Sequence, residues 1–240
     1  MIASGSKAFY GASVGILMLE AQFPRIPGDM GNAMTWPFPV HFKIVRGASP
    51  KRVVLEGGTG LKEAFIAAAQ EMVDDGVDGI TTNCGFLSLF QDDLAAAVAV
   101  PVAASSLMQV PLIAATLPKS KHVSILTISR ESLTPAHLSA ANVPPDTPIA
   151  GVDPDCEFAA RILGNAMTLD VDKAREDMLR AGRALMAEYP DTGALVLECT
   201  NMVPYAADLR RALGIPVYSI YSFVLWFQAA LQPRAFPLNG

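Results

Sequence analysis

The sequence predicts an α/β protein made of two similar parallel-sheet lobes related by a pseudo-twofold, and three observations carry that prediction. Short β-branched runs alternate with helical stretches along the chain, the pattern of parallel strands joined by crossover helices. A block of the first half, Gly76-Val77-Asp78-Gly79-Ile80-Thr81-Thr82-Asn83-Cys84 followed by a helix and Val100-Pro101-Val102, is echoed in the second. The echo is Gly193-Ala194-Leu195-Val196-Leu197-Glu198-Cys199-Thr200-Asn201, then a helix and Ile215-Pro216-Val217; Cys84 and Cys199, like Pro101 and Pro216, stand 115 residues apart. Self-similarity at a fixed offset signals a repeated structural unit. Finally, 240 residues with 51% hydrophobic and only 17% charged side chains suffice for a full core and exclude a disordered chain.

Taken in order, the expected strands are Ser13 to Leu19, Val53 to Leu55, Gly79 to Thr82, Val102 to Ala104, Val123 to Thr127, Ala194 to Glu198 and Val217 to Ile220. Val14-Gly15-Ile16-Leu17 and Val123-Ser124-Ile125-Leu126 open the two halves alike. Leu61 to Asp75 and Asp172 to Glu188 show the 3.6-residue apolar period of amphipathic helices. Pro24 to Pro39 holds four prolines and two glycines in sixteen residues, which excludes a long helix or a central strand. It reads as a long ordered loop, either a lid or entry wall or a plain surface excursion. With no flexible linker between the halves, residues 1–116 plus 217–240 are expected to form an N-terminal lobe and residues 117–216 a second lobe.

Lys and Arg total 18 against 23 Asp and Glu, a net charge of −5 that lacks the basic excess needed for nucleic acid. The longest uncharged stretch, Leu94 to Pro118, is broken by Pro101, Ser105, Ser106, Gln109 and Pro111, so no membrane span is expected. Lys7 followed by Ala8 to Leu19 looks superficially like a signal peptide, but no small-residue cleavage site follows Glu20 and Val14 to Leu19 makes a good first strand. Three widely spaced cysteines, Cys84, Cys156 and Cys199, do not form a disulfide framework, and a cytoplasmic location is expected.

Ligands of open parallel sheets lie beyond the carboxyl ends of the strands, where both repeat cysteines fall. A following helix N-terminus favours the thiolate. Asn83, Thr200 and Asn201 flank the thiols with hydrogen-bonding groups, and Gly85 lets a ligand approach the backbone. Together they offer a carboxylate site; helix capping is their alternative use. Cys156 has no counterpart in the repeat and is assigned to packing or surface. Two thiols at equivalent positions of two lobes converge on the cleft between them, a geometry suited to acid/base work on opposite faces of one carbon.

Ile80-Thr81-Thr82-Asn83-Cys84-Gly85-Phe86 and Leu197-Glu198-Cys199-Thr200-Asn201-Met202 resemble the two cysteine motifs of the aspartate/glutamate racemase superfamily. The resemblance extends over nearly the whole chain, including Pro27-Gly28-Asp29, Ser105-Ser106-Leu107 and the Pro216-Val217 strand. It implies a cofactor-independent isomerase of the amino-acid racemase type, acting at a carbon α to a carboxylate, with its active site in the interlobe cleft. Cys84 and Cys199 would be the catalytic pair, one thiolate removing the α-proton and one thiol returning a proton to the other face. Asn83, Gly85, Thr200 and Asn201 would bind a small carboxylate-bearing substrate, stabilising charge that develops in the transition state. The familiar glutamate racemase pattern has an Asp-Ser pair after the first strand and a His after the second cysteine; Leu17-Met18-Leu19-Glu20 and Asn201-Met202 stand there instead. These more apolar surroundings suit a bulkier or less charged ligand.

Alternatives on the same fold are a maleate-type cis-trans isomerase and an arylmalonate-type decarboxylase; a two-lobed small-molecule sensor with inert thiols is the non-enzyme alternative. Gly57-Gly58-Thr59-Gly60-Leu61-Lys62 lacks the spacing of a phosphate loop and reads as a turn leading into a helix. His41, His122 and His137 have no metal-ligand spacing, so no metal is expected. Leu107, Met108, Val110, Leu112 and Ile113 form an apolar cluster assigned to core or to a subunit interface, which leaves room for a homo-oligomer.

Overall fold

The computed structural model describes residues 5–7 and 10–236; Ala8 and Phe9 of the signal-like stretch, and the ends of the expected N-terminal lobe, lie outside the described residues. The first lobe contains strands β1 (Val14–Leu19), β2 (Val40–Val45), β3 (Gly79–Thr82) and β4 (Val102–Ala103), with helices α1 (Lys62–Asp75), α2 (Gln91–Ala97) and α3 (Val110–Thr116). The second contains β5 (His122–Thr127), β6 (Ile149–Gly151), β7 (Thr192–Leu197) and β8 (Val217–Tyr218), with α4 (Pro135–Ala140), α5 (Glu157–Leu163), α6 (Val171–Glu188) and α7 (Ala206–Leu213). All strand pairs are parallel, in the orders β2-β1-β3-β4 and β6-β5-β7-β8. The repeat holds at the level of single residues: Ile80 pairs with Val102 and, 115 residues on, Leu195 pairs with Val217.

The central strands are apolar on both faces, as parallel strands covered by helices must be. In β1 the alternation sorts the side chains: Leu17 and Leu19 join the large core with Phe65, Ala69 and Met72 of α1, while Val14, Ile16 and Met18 face the other way. The second set is covered by Ile220, Phe223, Val224 and Phe227 of helix α8 (Ile220–Leu231). The chain therefore leaves the second sheet after β8 and lays its last helix on the first. The expected boundary before Val217 is corrected by this pairing, because Val217 and Tyr218 belong to the second sheet through β7 and only the helix crosses back. At the end of α1, Gly76 takes the left-handed conformation (φ 108°) and its N–H bonds the carbonyls of Met72 and Val73, stopping the helix before β3.

Two further expectations change. Lys51–Leu55 is a single π-helical turn, not a strand: Val53 and Val54 turn inward against the core after Pro50. The neighbour of β1 is instead Val40–Val45, a half-buried edge strand. Among the described residues no helix is long and apolar enough to cross a membrane.

Candidate active site

The carboxyl ends of β1, β3, β5 and β7 meet between the lobes. Each repeat cysteine follows its strand and opens a 3-10 turn, Gly85–Phe90 after Cys84 and Thr200–Tyr205 after Cys199. The pseudo-twofold relates Asn83 to Glu198 and Gly85 to Thr200, and the two pairs make the same contact with different chemistry. Thr200 Oγ1 donates to the Asn83 carbonyl at 2.6 Å, while the Asn83 side-chain oxygen accepts from the backbone N–H of Leu19 at 2.7 Å. In the other half the side chain is a carboxylate, and only glycine fits beneath it. A Cβ on Gly85 would stand 2.2 Å from Glu198 Oε1 and 2.4 Å from the Glu198 carbonyl oxygen. Ser106 closes the seam, its hydroxyl donating to the Leu197 carbonyl at 2.7 Å.

Cys84, Cys199, Asn83, Gly85, Glu198, Thr200 and Asn201 all line one cavity, with Leu19, Phe23, Phe86 and Ile128 supplying apolar walls. Its volume is about 20 Å³, room for roughly one water molecule. A second cavity, of about 630 Å³, shares Ile128 and Leu163 with it as walls and carries Lys51 and Arg130. The two spaces therefore adjoin at Ile128 and Leu163.

Glu198 is fully buried, with 0% of its surface exposed. Its Oε2 accepts from Thr127 Oγ1 at 2.8 Å, and its Oε1 has no hydrogen-bond partner. Burial pushes its pKa up to about 7, although Thr127 and the Ile128 N–H pull toward the charged form. The thiols follow the same logic. Burial, then the charge of Glu198, raises Cys84, while the N–H groups of Phe86 and Leu87 and the Arg25 guanidinium favour its thiolate. Cys199 is raised by burial and Glu198, with smaller contributions from Cys84 and Asp29, against the N–H of Asn201. The expectation of thiols acidified by a helix N-terminus is therefore corrected: the N–H groups are in place, but desolvation and a neighbouring carboxylate outweigh one short turn.

The Pro24 to Pro39 loop is tied to the site through Asp29, which is 3% exposed. Asp29 accepts from Arg25 Nη1 at 2.8 Å, from the Gly31 N–H at 2.7 Å and from Asn201 Nδ2 at 2.5 Å. Asn201 in turn accepts from the Cys199 thiol at 3.6 Å, within the range for sulfur. The loop is thus held to the second lobe by a charged hub behind Asn201, while none of its residues lines the cavity itself.

The structure thus brings together every residue singled out in the two motifs. It also shows how they are engaged: Thr200 and Asn201 already use their donors on Asn83 and Asp29. Cys156 stands apart as the N-cap of α5, accepting from the Ala159 N–H at 3.5 Å. Glu198 had no assigned role from sequence. Its signal was available: a lone carboxylate ending the apolar run Ala194-Leu195-Val196-Leu197 in a buried strand.

No family model matches the chain. It is 28% identical over 244 residues to a dimethylsulfoniopropionate lyase of Durusdinium sp. clade D, covering 95% of this chain and 78% of that protein. Dimethylsulfoniopropionate lyase 7 of Emiliania huxleyi is 29% identical over 231 residues, covering 92% of this chain and 67% of its own length. Lyase 5 of the same organism is 30% identical, but the chain spans only 45% of it. Among solved structures, a variant of arylmalonate decarboxylase in its liganded form superposes with a TM-score of 0.63 at 14% identity, covering 94% of this chain and 96% of that one. Glutamate racemase from Bacillus anthracis gives 0.58 at 14% identity, covering 93% and 85%. Allantoin racemase from Pseudomonas fluorescens gives 0.53 at 15% identity, covering 95% and 100%. Two parallel four-stranded sheets, repeated in order and register around a cleft that holds one cysteine from each, give this chain the fold of the aspartate/glutamate racemase superfamily.

Proposed function

We propose that this protein is a cofactor-independent enzyme that removes a proton from the carbon α to a carboxylate with a cysteine, and that its reaction is β-elimination from a sulfonium carboxylate of the dimethylsulfoniopropionate type. The observation that carries the proton transfer is the convergence of Cys84 and Cys199, one from each lobe, on a single small cavity. The lyase relatives, similar over nearly the whole chain, favour elimination as the outcome.

One cysteine, as thiolate, takes the α-proton. The C–H electron pair becomes the new C=C bond, the C–S bond breaks, and dimethyl sulfide leaves with that bond's electrons, so acrylate and a thiol remain. A sulfonium leaves without protonation, so elimination needs one base and no cofactor to stabilise a carbanion. The Phe86 and Leu87 N–H groups and Arg25 partly offset the burial and the Glu198 charge that raise Cys84, and on that ground Cys84 is assigned as the base. The test is incubation with dimethylsulfoniopropionate, reading dimethyl sulfide by gas chromatography and acrylate by NMR; release by the parent and none by Cys84→Ala is the expected result.

A second reading, racemisation at the carbon α to a carboxylate, is favoured by one specific observation: the second thiol, on the opposite lobe, is poised to return the proton. Interconversion of enantiomers of a chiral carboxylate without dimethyl sulfide release would select it.

A further inference from the structure

We propose that Glu198 is the subsite for a positively charged group of the substrate, so that the cavity selects zwitterions whose cationic centre lies close to the carbon between the thiols. The inference rests on the function proposed above and names the substrate class that the site would take.

The Glu198 carboxylate has no exposed surface, lines the thiol cavity and leaves Oε1 unpartnered. The guanidinium of Arg25 is ion-paired through Nη1 with Asp29 at 2.8 Å, its Nη2 being without a hydrogen-bond partner, and no ion pair joins it to Glu198 among the described residues. An ionised carboxylate buried without a cation is costly, and it either takes up a proton or gains a counter-charge. The walls around it suit an onium group: Phe86 presents aromatic surface, Leu19 and Ile128 are aliphatic, and the Phe23 ring already carries the Arg25 guanidinium at 4.6 Å. Gly85 is the device that lets the carboxylate lie so close to the Cys84 turn.

The pairing also bears on catalysis. Ionised Glu198 adds to burial in holding both thiols neutral, and burial, partly offset by Thr127 and the Ile128 N–H, brings its own titration to about 7. A bound cation offsets the Glu198 contribution and so lowers the cost of forming thiolate, leaving the contribution of burial to be met. The titratable and charged groups acting on this cavity are Cys84, Cys199, Asp29 and Arg25. Glu198 acts through charge on substrate and thiols alike, without taking the α-proton.

The test compares two probes of the same shape, 3-(trimethylammonio)propanoate and 4,4-dimethylpentanoate, by isothermal titration. At about pH 8.5, the parent should bind the probe with the cationic head, a zwitterion, about tenfold or more tightly than the carboxylate anion with the uncharged tert-butyl head, and folded Glu198→Gln should bind the two within about twofold. Should the variant not fold, the parent alone decides, because at about pH 6 a neutral Glu198 should erase most of the preference. No preference in the parent at the higher pH, no binding of either probe, or a preference surviving in folded Glu198→Gln or undiminished at the lower pH overturns the proposal. Failure of the lyase reading is separate: a parent that prefers the cationic probe yet releases no dimethyl sulfide loses that reaction and keeps this subsite.

Discussion

Gly85→Ala is the substitution that strikes the seam between the lobes most directly. The added methyl carbon would stand 2.2 Å from Glu198 Oε1 and 2.4 Å from the Glu198 carbonyl oxygen. The carboxylate could swing away, but the carbonyl belongs to the strand end and accepts from Ser106, so backbone must move. Ordinary contact begins near 3.4 Å, which requires the two turns to separate by about 1 Å. Overpacking of this kind costs about 1–3 kcal/mol, which for a chain of this size lowers the melting temperature by about 2–12 °C. The same displacement pulls Cys84 away from the opposite lobe, and an error of about 1 Å between reacting groups can cost about 100-fold in rate. Calorimetry and turnover of dimethylsulfoniopropionate measure the two effects. A variant that melts with the parent and keeps its rate would refute the packing of Glu198 against Gly85.

Cys84→Ala and Cys199→Ala should each reduce turnover by more than about 100-fold if both thiols serve the reaction, while Cys84→Ala alone should do so for one-base elimination; Cys156→Ala should match the parent in a turnover assay. Asp29→Ala leaves Arg25 buried without its partner and Asn201 without its acceptor, so chemical denaturation should show a loss of about 3–5 kcal/mol. The raised Glu198 gives a pH signature: the folded protein holds that proton from 4.5 up to about 7, where the unfolded chain releases it. Parent stability should therefore fall by about 3 kcal/mol relative to Glu198→Gln between those values as pH rises. His137, lowered to about 4 by burial, works the other way, weakening the fold as pH falls, but it is common to both proteins and cancels in the difference.

Much of this arrangement was legible in the sequence because it is repeated. The 115-residue offset located β3, β4, β7 and β8 and placed both cysteines at strand ends before any coordinates. The edge strands were not legible in the same way. Val40–Val45 is half-buried and emerges straight from the proline-rich loop, and Ile149–Gly151 is only three residues long after Pro148. The run Val53 to Leu55 misled for the opposite reason, since three apolar residues fit a strand or a buried turn equally well and only packing after Pro50 decides. Thr200 and Asn201 line the same cavity as the cysteines, yet their partners, the Asn83 carbonyl and Asp29, come from parts of the chain that local spacing does not connect. Glu198 was visible as an anomaly in an apolar strand, but its meaning depends on desolvation, which the order of residues does not report.

The central claim, cysteine-dependent removal of a proton α to a carboxylate, is tested most directly in deuterated water with dimethylsulfoniopropionate. Proton NMR would follow acrylate formation and any α-deuteration of remaining substrate for the parent, Cys84→Ala and the Cys84→Ala/Cys199→Ala double variant. The account predicts acrylate from the parent and neither elimination nor exchange from either variant; acrylate formed at the parental rate by the double variant would contradict it.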